Sequence, residues 1–115
     1  MSSENNSIIK IFEDVDASAS FNSNAFDIAK ADASSLQCGN IASSNLTGSM
    51  KIQVCNEPSL GWNDLPNSTQ AFAKVSAIGI SNIWDLSRYG FAKFRFVWTY
   101  TSGSGTLTGV LNSKG

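Results

Sequence analysis

The chain contains no histidine, and that absence removes both Ser-His-Asp and Cys-His nucleophilic catalysis, since no imidazole is there to act as the base. Its two cysteines, Cys38 and Cys55, have no imidazole partners with which to complete a zinc site. Asp14, Asp16, Asp27 and Asp32 fall on uncertain elements, and no spacing pairs two of them as glycoside hydrolysis requires. Asp and Asn in loops are ligand types that calcium uses, yet turn formation and solubility account for them here. Gly103-Ser-Gly105 lies between two strand patterns and does not open a helix, so it is a turn, not a phosphate cradle. The expectation is a non-enzymatic protein with no catalytic residue, no metal and no cofactor.

Recognition is a different matter. Trp62, Asn63 and Asp64 stand together in a polar loop, where an aromatic ring beside an amide and a carboxylate suits a shallow sugar or partner contact. The competing reading, and the favoured one, folds Trp62 back beside Leu60 and Leu65 to plug the end of the domain. Trp84 and Trp98 are expected in the core.

The thiols are expected to be free. Met50, Ile52 and Val54 alternate with Lys51, Gln53 and Cys55, which sets Cys55 on a polar face, whereas Leu36 and Cys38 share an apolar one. Sulfurs on opposite faces cannot meet disulfide geometry, and free thiols suit a protein folded in a reducing cytosol.

The elements that must hold these residues are strands. At 115 residues the chain is one domain. It is 42% apolar, enough for a core, but 15% charged, so Ser, Asn, Thr and Gly must cover much of its surface. Such a surface suits an extracellular or particle-assembled β-protein. The net charge of −1 gives no field to gather phosphate backbones, and the basic residues are scattered, so nucleic acid is not an expected partner. No apolar run is long enough to span a membrane. The opening Met1-Ser-Ser-Glu-Asn-Asn has no basic-then-apolar signal segment.

Period-two alternation with turn punctuation recurs along the chain, predicting an all-β antiparallel β-sandwich, jelly-roll-like or Ig-like, of about seven or eight short strands. Ser7–Val15 is a first strand or an arm. Phe26–Ala29 and Leu36–Ala42 are short strands flanking a turn at Asp32–Ser34. A turn at Ser43–Gly48 leads into a strand at Met50–Cys55, then a long loop over Asn56–Pro66. Short strands follow at Ala71–Ile80 and Ile83–Leu86, with a turn at Ser87–Gly90. Lys93–Thr101 is the strongest signal. Phe94, Phe96, Trp98 and Tyr100 share one face of it, making it the centre of the core. Thr106–Leu111 is expected to return beside it as a hairpin.

Several segments in the second half of the chain carry a resemblance. They are Gly48-Ser-Met-Lys-Ile-Gln-Val-Cys-Asn56, Trp62-Asn-Asp-Leu65, Phe94-Arg-Phe-Val-Trp-Thr99, Ser102-Gly-Ser-Gly-Thr-Leu107 and the closing Lys114-Gly115. Over roughly residues 45–115 the chain resembles small β-sandwich proteins encoded among the virion genes of bacterial viruses. It departs from their pattern at Cys55, where serine is usual, and at Glu57-Pro-Ser, which lengthens the loop. The resemblance implies a non-enzymatic bacteriophage virion structural protein, capsid-associated, a decoration protein, or a vertex or spike component. It would be assembled in the bacterial host cytoplasm and act as a homo-oligomer, trimer or pentamer, with other virion proteins as partners.

Within that picture residues 1–17 form an N-terminal arm or edge strand and 18–115 a single β-sandwich domain. Ile8, Ile9, Ile11 and Phe12 are the expected subunit contact, adding to the open edge of a neighbouring sheet. Arg95, on the outer face of the aromatic strand, either pairs with a carboxylate on a neighbouring strand or subunit or covers apolar surface with its stem. The alternative function is a carbohydrate- or host-surface-binding β-sandwich module using Trp62, Asn63 and Asp64.

Overall fold

The computed structural model describes residues 6–27, 33–40, 45–73, 80–86 and 91–114. In chain order the strands are β1 (Asn6–Asp16), β2 (Phe21–Asn22), β3 (Ala33–Asn40), β4 (Thr47–Cys55), β5 (Asn63–Asp64), β6 (Gln70–Ala73), β7 (Ile80–Asp85), β8 (Lys93–Ser102) and β9 (Thr106–Lys114), with a 3-10 turn at Pro58–Leu60. One sheet runs β1-β9-β3-β7. The other runs β2-β8-β4, with both β5 and β6 on the far side of β4. All the pairings are antiparallel.

Among the described residues, setting aside the two-residue β5, eight strands remain, and they pair first with eighth, second with seventh, third with sixth and fourth with fifth. That is a long antiparallel ribbon rolled over itself, the eight-stranded jelly roll. An Ig-type sandwich sets its first strand beside its second in one sheet; here β1 and β2 lie in different sheets.

The core lies between the sheets. Phe94, Phe96 and Trp98 are fully buried on the inner face of β8, with Met50, Ile52 and Val54 beside them from β4. Leu36, Cys38, Trp84, Leu107 and Leu111 close in from the opposite sheet. Phe96 sits at the centre, with the rings of Phe12, Phe21 and Trp84 at 5.1, 6.0 and 5.9 Å, in the offset and edge-on arrangements that the aromatic quadrupole favours. Each buried aromatic contributes about 1.5–3 kcal/mol over an exposed one. The two buried indoles keep their N–H groups satisfied. Trp98 Nε1 donates to the Ala17 carbonyl at 2.9 Å and Trp84 Nε1 to the Ser68 carbonyl at 2.6 Å. Both bonds tie connecting chain to the core.

Several local expectations need correction. β8 and β9 are consecutive but form no hairpin: β8 pairs with β2 and β4, and β9 with β1 and β3. Gly103–Gly105 instead carries the chain from one sheet to the other. Gly103 adopts φ +84°, and a Cβ on it would run into the backbone of Asn45, so a side chain there is excluded twice over. Phe26–Ala29 is not a strand in its described part, because Phe26 makes only an isolated bridge to Phe94. Ser34, Thr47 and Gly48 belong to strands, not turns. Residues 28–32, 41–44, 74–79 and 87–90 lie outside the described residues, and with them Asp32 of the predicted turn at Asp32–Ser34, the first two residues of the one at Ser43–Gly48, the end of Leu36–Ala42, the middle of Ala71–Ile80 and the turn at Ser87–Gly90.

Cys55 is also corrected. It does alternate with the inward residues of β4, yet it is 5% exposed, unlike Lys51 and Gln53 of the same phase, which are partly exposed. Cys38 is fully buried and both thiols are free; burial pushes the Cys38 thiol far above its ordinary value.

Candidate recognition surface

The outer face of the β4–β8 sheet is built from the polar phase of two alternating strands. Lys51, Gln53 and Cys55 come from β4, and Lys93, Arg95 and Val97 from β8, with Gln53 directly opposite Arg95. The chain leaving β4 must reverse to form β5. Glu57 begins that reversal by accepting from the Ser59 amide and hydroxyl at 3.3 and 3.1 Å, Pro58 opens the 3-10 turn and Gly61 ends it at φ +98°. β5 then pairs Asn63 with Val54 and Asp64 with Gln53.

This return lays Trp62 over the sheet. Its ring centroid is 4.6 Å from Arg95 Cζ, a cation–π contact. Arg95 Nε donates to Gln53 Oε1 at 2.8 Å, and Gln53 Nε2 donates to Asp64 Oδ1 at 2.9 Å. Lys51 Nζ lies 3.0 Å from Asp64 Oδ1 and 3.1 Å from Oδ2. Trp62, Arg95, Gln53, Asp64 and Lys51 therefore form one connected chain of contacts, and the two bonds of Gln53 fix which way its amide points. The Gln53 hydrogen bond, followed by Lys51, holds the Asp64 carboxyl below its usual value. Lys51 and Asp64 are open to water, so their ion pair contributes little to stability.

The expectation that Trp62 plugs the sandwich beside Leu60 and Leu65 fails. Leu65 is buried, but Leu60 is 86% exposed and Trp62 faces outward onto Arg95. The three-residue cluster is split too. Period two puts Trp62 and Asp64 on the outer side of β5 and turns exposed Asn63 the other way. Sequence reasoning omitted Gln53 and Lys51. Their alternation with Met50, Ile52 and Val54 was the available signal, but only the register of β4 against β8 shows that Gln53 meets Arg95.

The four residues of the first strand are divided as well. Ile11 and Phe12 pack against the chain's own core, with Phe12 5.4 Å from Phe21. Ile8 and Ile9 are 70% and 53% exposed. β1 pairs with β9 and is the outermost strand of its sheet among the described residues. Its second half is broken by register shifts after Lys10 and Phe12, by Asp14 at φ +48° and by charged Glu13 and Asp16, devices that discourage edge pairing. The first half, from Asn6 to Lys10, keeps a regular ladder. The opposite edge of this sheet, β7, is capped by Gln70 Nε2 donating to the Ile83 carbonyl and by Asn82 Nδ2 donating to the Ala71 carbonyl, at 3.1 and 3.0 Å. An open depression beside β7 is lined by Leu65, Asn67, Ser68, Gln70 and Ile83, but Ser68 and Gln70 are already committed to backbone partners.

No family model matches the chain, and no curated protein matches it. Solved structures do. The SPBc2 prophage-derived protein YomS superposes with a TM-score of 0.58 at 14% identity, over 98% of this chain and 97% of that one. A chain from the structure of infectious bursal disease virus, Gx strain, gives a TM-score of 0.55 at 9% identity, over 98% of this chain and 32% of that one. This chain thus spans about a third of the length of the second. What is shared is the fold.

Proposed function

We propose that the chain is a non-enzymatic structural component of a bacterial virus particle, working through repeated copies joined by protein–protein contacts. The observation that carries this reading is the jelly roll shared end to end with a prophage-derived protein. The likeness to a chain of a second virus points the same way. The role is that of a capsid-associated, decoration, vertex or spike protein, located in the virion, with itself and other virion proteins as partners.

The contact between copies runs along the first half of β1. That stretch combines a regular strand edge with exposed Ile8 and Ile9, whereas β7 is capped. An added strand would satisfy the edge and cover the isoleucines together. The test is solution mass by light scattering over a concentration series. A defined oligomer, trimer or pentamer, is expected for the wild type. The double variant Ile8→Lys, Ile9→Lys is expected to be monomeric with an unchanged melting temperature, because lysine on an exposed edge blocks pairing without entering the core. A wild type that stays monomeric at every concentration overturns the reading.

A second reading, a carbohydrate- or host-surface-binding module, is favoured by one observation: Trp62 lies on the outer face of the sheet and not in the core. It is compatible with the first, since a particle component can also touch the host.

A further inference from the structure

We propose that Arg95 and Trp62 form a binding site for a carboxylate-bearing sugar on the outer face of the β4–β8 sheet. The proposal rests on the second reading above and specifies the chemistry of the ligand.

Arg95 is positioned but not neutralised. Among the described residues its contacts are the Nε bond to Gln53 and the Trp62 ring, so neither terminal amino group of the guanidinium has a protein acceptor. The nearest carboxylate in the cluster, Asp64, is separated from Arg95 by Gln53 and gives its oxygens to Gln53 and Lys51. The charges of Lys51 and Asp64 cancel, which leaves the cluster with the uncompensated charge of Arg95. The geometry also fits. Fixing Nε and one side of the guanidinium removes much of the rotamer freedom that a ligand would otherwise have to freeze. What remains free is the planar edge that matches a carboxylate with two parallel hydrogen bonds.

Trp62 narrows the ligand class. Arg95 Cζ sits over one face of the Trp62 ring, so a sugar stacks its C–H face on the opposite one. A neutral sugar uses only the ring and a simple carboxylate only the fork. A uronic or sialic sugar carries both features on one rigid ring and engages both groups. Lys51 does not substitute for Arg95, because its ammonium is held by Asp64 and presents a point charge without a fork.

The test titrates the full chain, by calorimetry and amide-resolved NMR, with a panel of uronic-acid oligomers and sialyl oligosaccharides. Each is matched to its methyl ester, which keeps the ring and removes the charge. At least one acid form is expected to bind, with shifts at Trp62, Arg95 and Gln53, and its ester at least tenfold more weakly. Arg95→Lys is expected to lose most of that acid-over-ester preference, and Trp62→Ala to weaken both forms, each with the melting temperature of the wild type. Equal binding of acid and ester overturns the proposal while leaving the surface-binding reading in place. No binding of any member at millimolar concentration overturns both.

Discussion

Replacing Gly48 by alanine probes the closest approach between the two central strands. Gly48 lies on the inner phase of β4, opposite Tyr100 and next to a register shift at Thr47. Its backbone is not in the left-handed region, so alanine there brings no conformational strain. In open space it would be expected to stabilise by about 0.4–1 kcal/mol, through a less flexible unfolded chain. The space is not open. A Cβ on Gly48 would press into the Thr99 carbonyl oxygen and the edge of the Trp98 indole, 2.7 Å from Cζ2. Neither neighbour can give way cheaply. The carbonyl is backbone inside a central strand pair, and the indole is fully buried and held by its bond to Ala17.

Overpacking a core of this kind costs about 1–3 kcal/mol, and the backbone contact puts Gly48→Ala at the upper end. The net loss is about 2 kcal/mol, which for a domain of this size lowers the melting temperature by roughly 10 °C. Urea unfolding followed by tryptophan fluorescence should show a lower midpoint with the same slope. Trp98→Phe removes the ring atoms in the way, so the double variant should lose less than the sum of the two single changes. A melting temperature at or above the wild type's would refute the close approach of β4 to β8, and with it the packing of the aromatic strand.

Three further outcomes follow from other contacts. Ser68 Oγ accepts from the Ile52 amide at 3.1 Å and donates to the Leu65 carbonyl at 2.7 Å in a buried site, so Ser68→Ala should destabilise by about 1–3 kcal/mol in a urea titration, and a neutral result would show that water replaces the hydroxyl. Neither buried thiol should react with an aromatic disulfide reagent in the native state, and both should react in urea; one fast-reacting thiol in the native protein would mean that the cover over Cys55 opens readily. Asp64 and Asp16 are held below the ordinary carboxylate value, Asp64 by Gln53 and then Lys51, and Asp16 by the Ser18 amide. A lowered folded-state value means their contribution is present above about pH 4 and lost as the pH falls through that lowered value. The urea midpoint should therefore decline below pH 4, less so in Asp64→Asn, and an identical decline in that variant would remove Asp64 from the account.

The strands were legible because alternation is a local record of having one buried face. Phe94, Phe96 and Trp98 against Lys93, Arg95 and Val97 state it outright, and the structure buries the first set on the inner face of β8. The same alternation misled at β9. Leu107 and Leu111 need an apolar face, but the period is the same whether the neighbouring segment lies alongside in one sheet or across the core in the other. Proximity in sequence therefore suggested a hairpin where the fold makes a crossing. Cys55 failed for a related reason. Its alternation with Met50, Ile52 and Val54 was read as exposure, yet Cys55 is only 5% exposed, and alternation along one strand does not record what packs on its other face.

The candidate recognition surface divides along the same line. Composition excluded imidazole-dependent chemistry, and residue type marked Trp62 and Arg95 as the groups to watch. That they touch, that Gln53 and not Asn63 joins the group, and that Ile8 and Ile9 are open while Ile11 and Phe12 serve the core were decided by register and strand order. Those are contacts between residues tens of positions apart, such as Gln53 with Arg95 and Phe12 with Phe96. A one-residue slip in pairing would exchange the two faces of every strand, so side-chain packing across the whole sandwich sets the register, and no local stretch of the chain contains it.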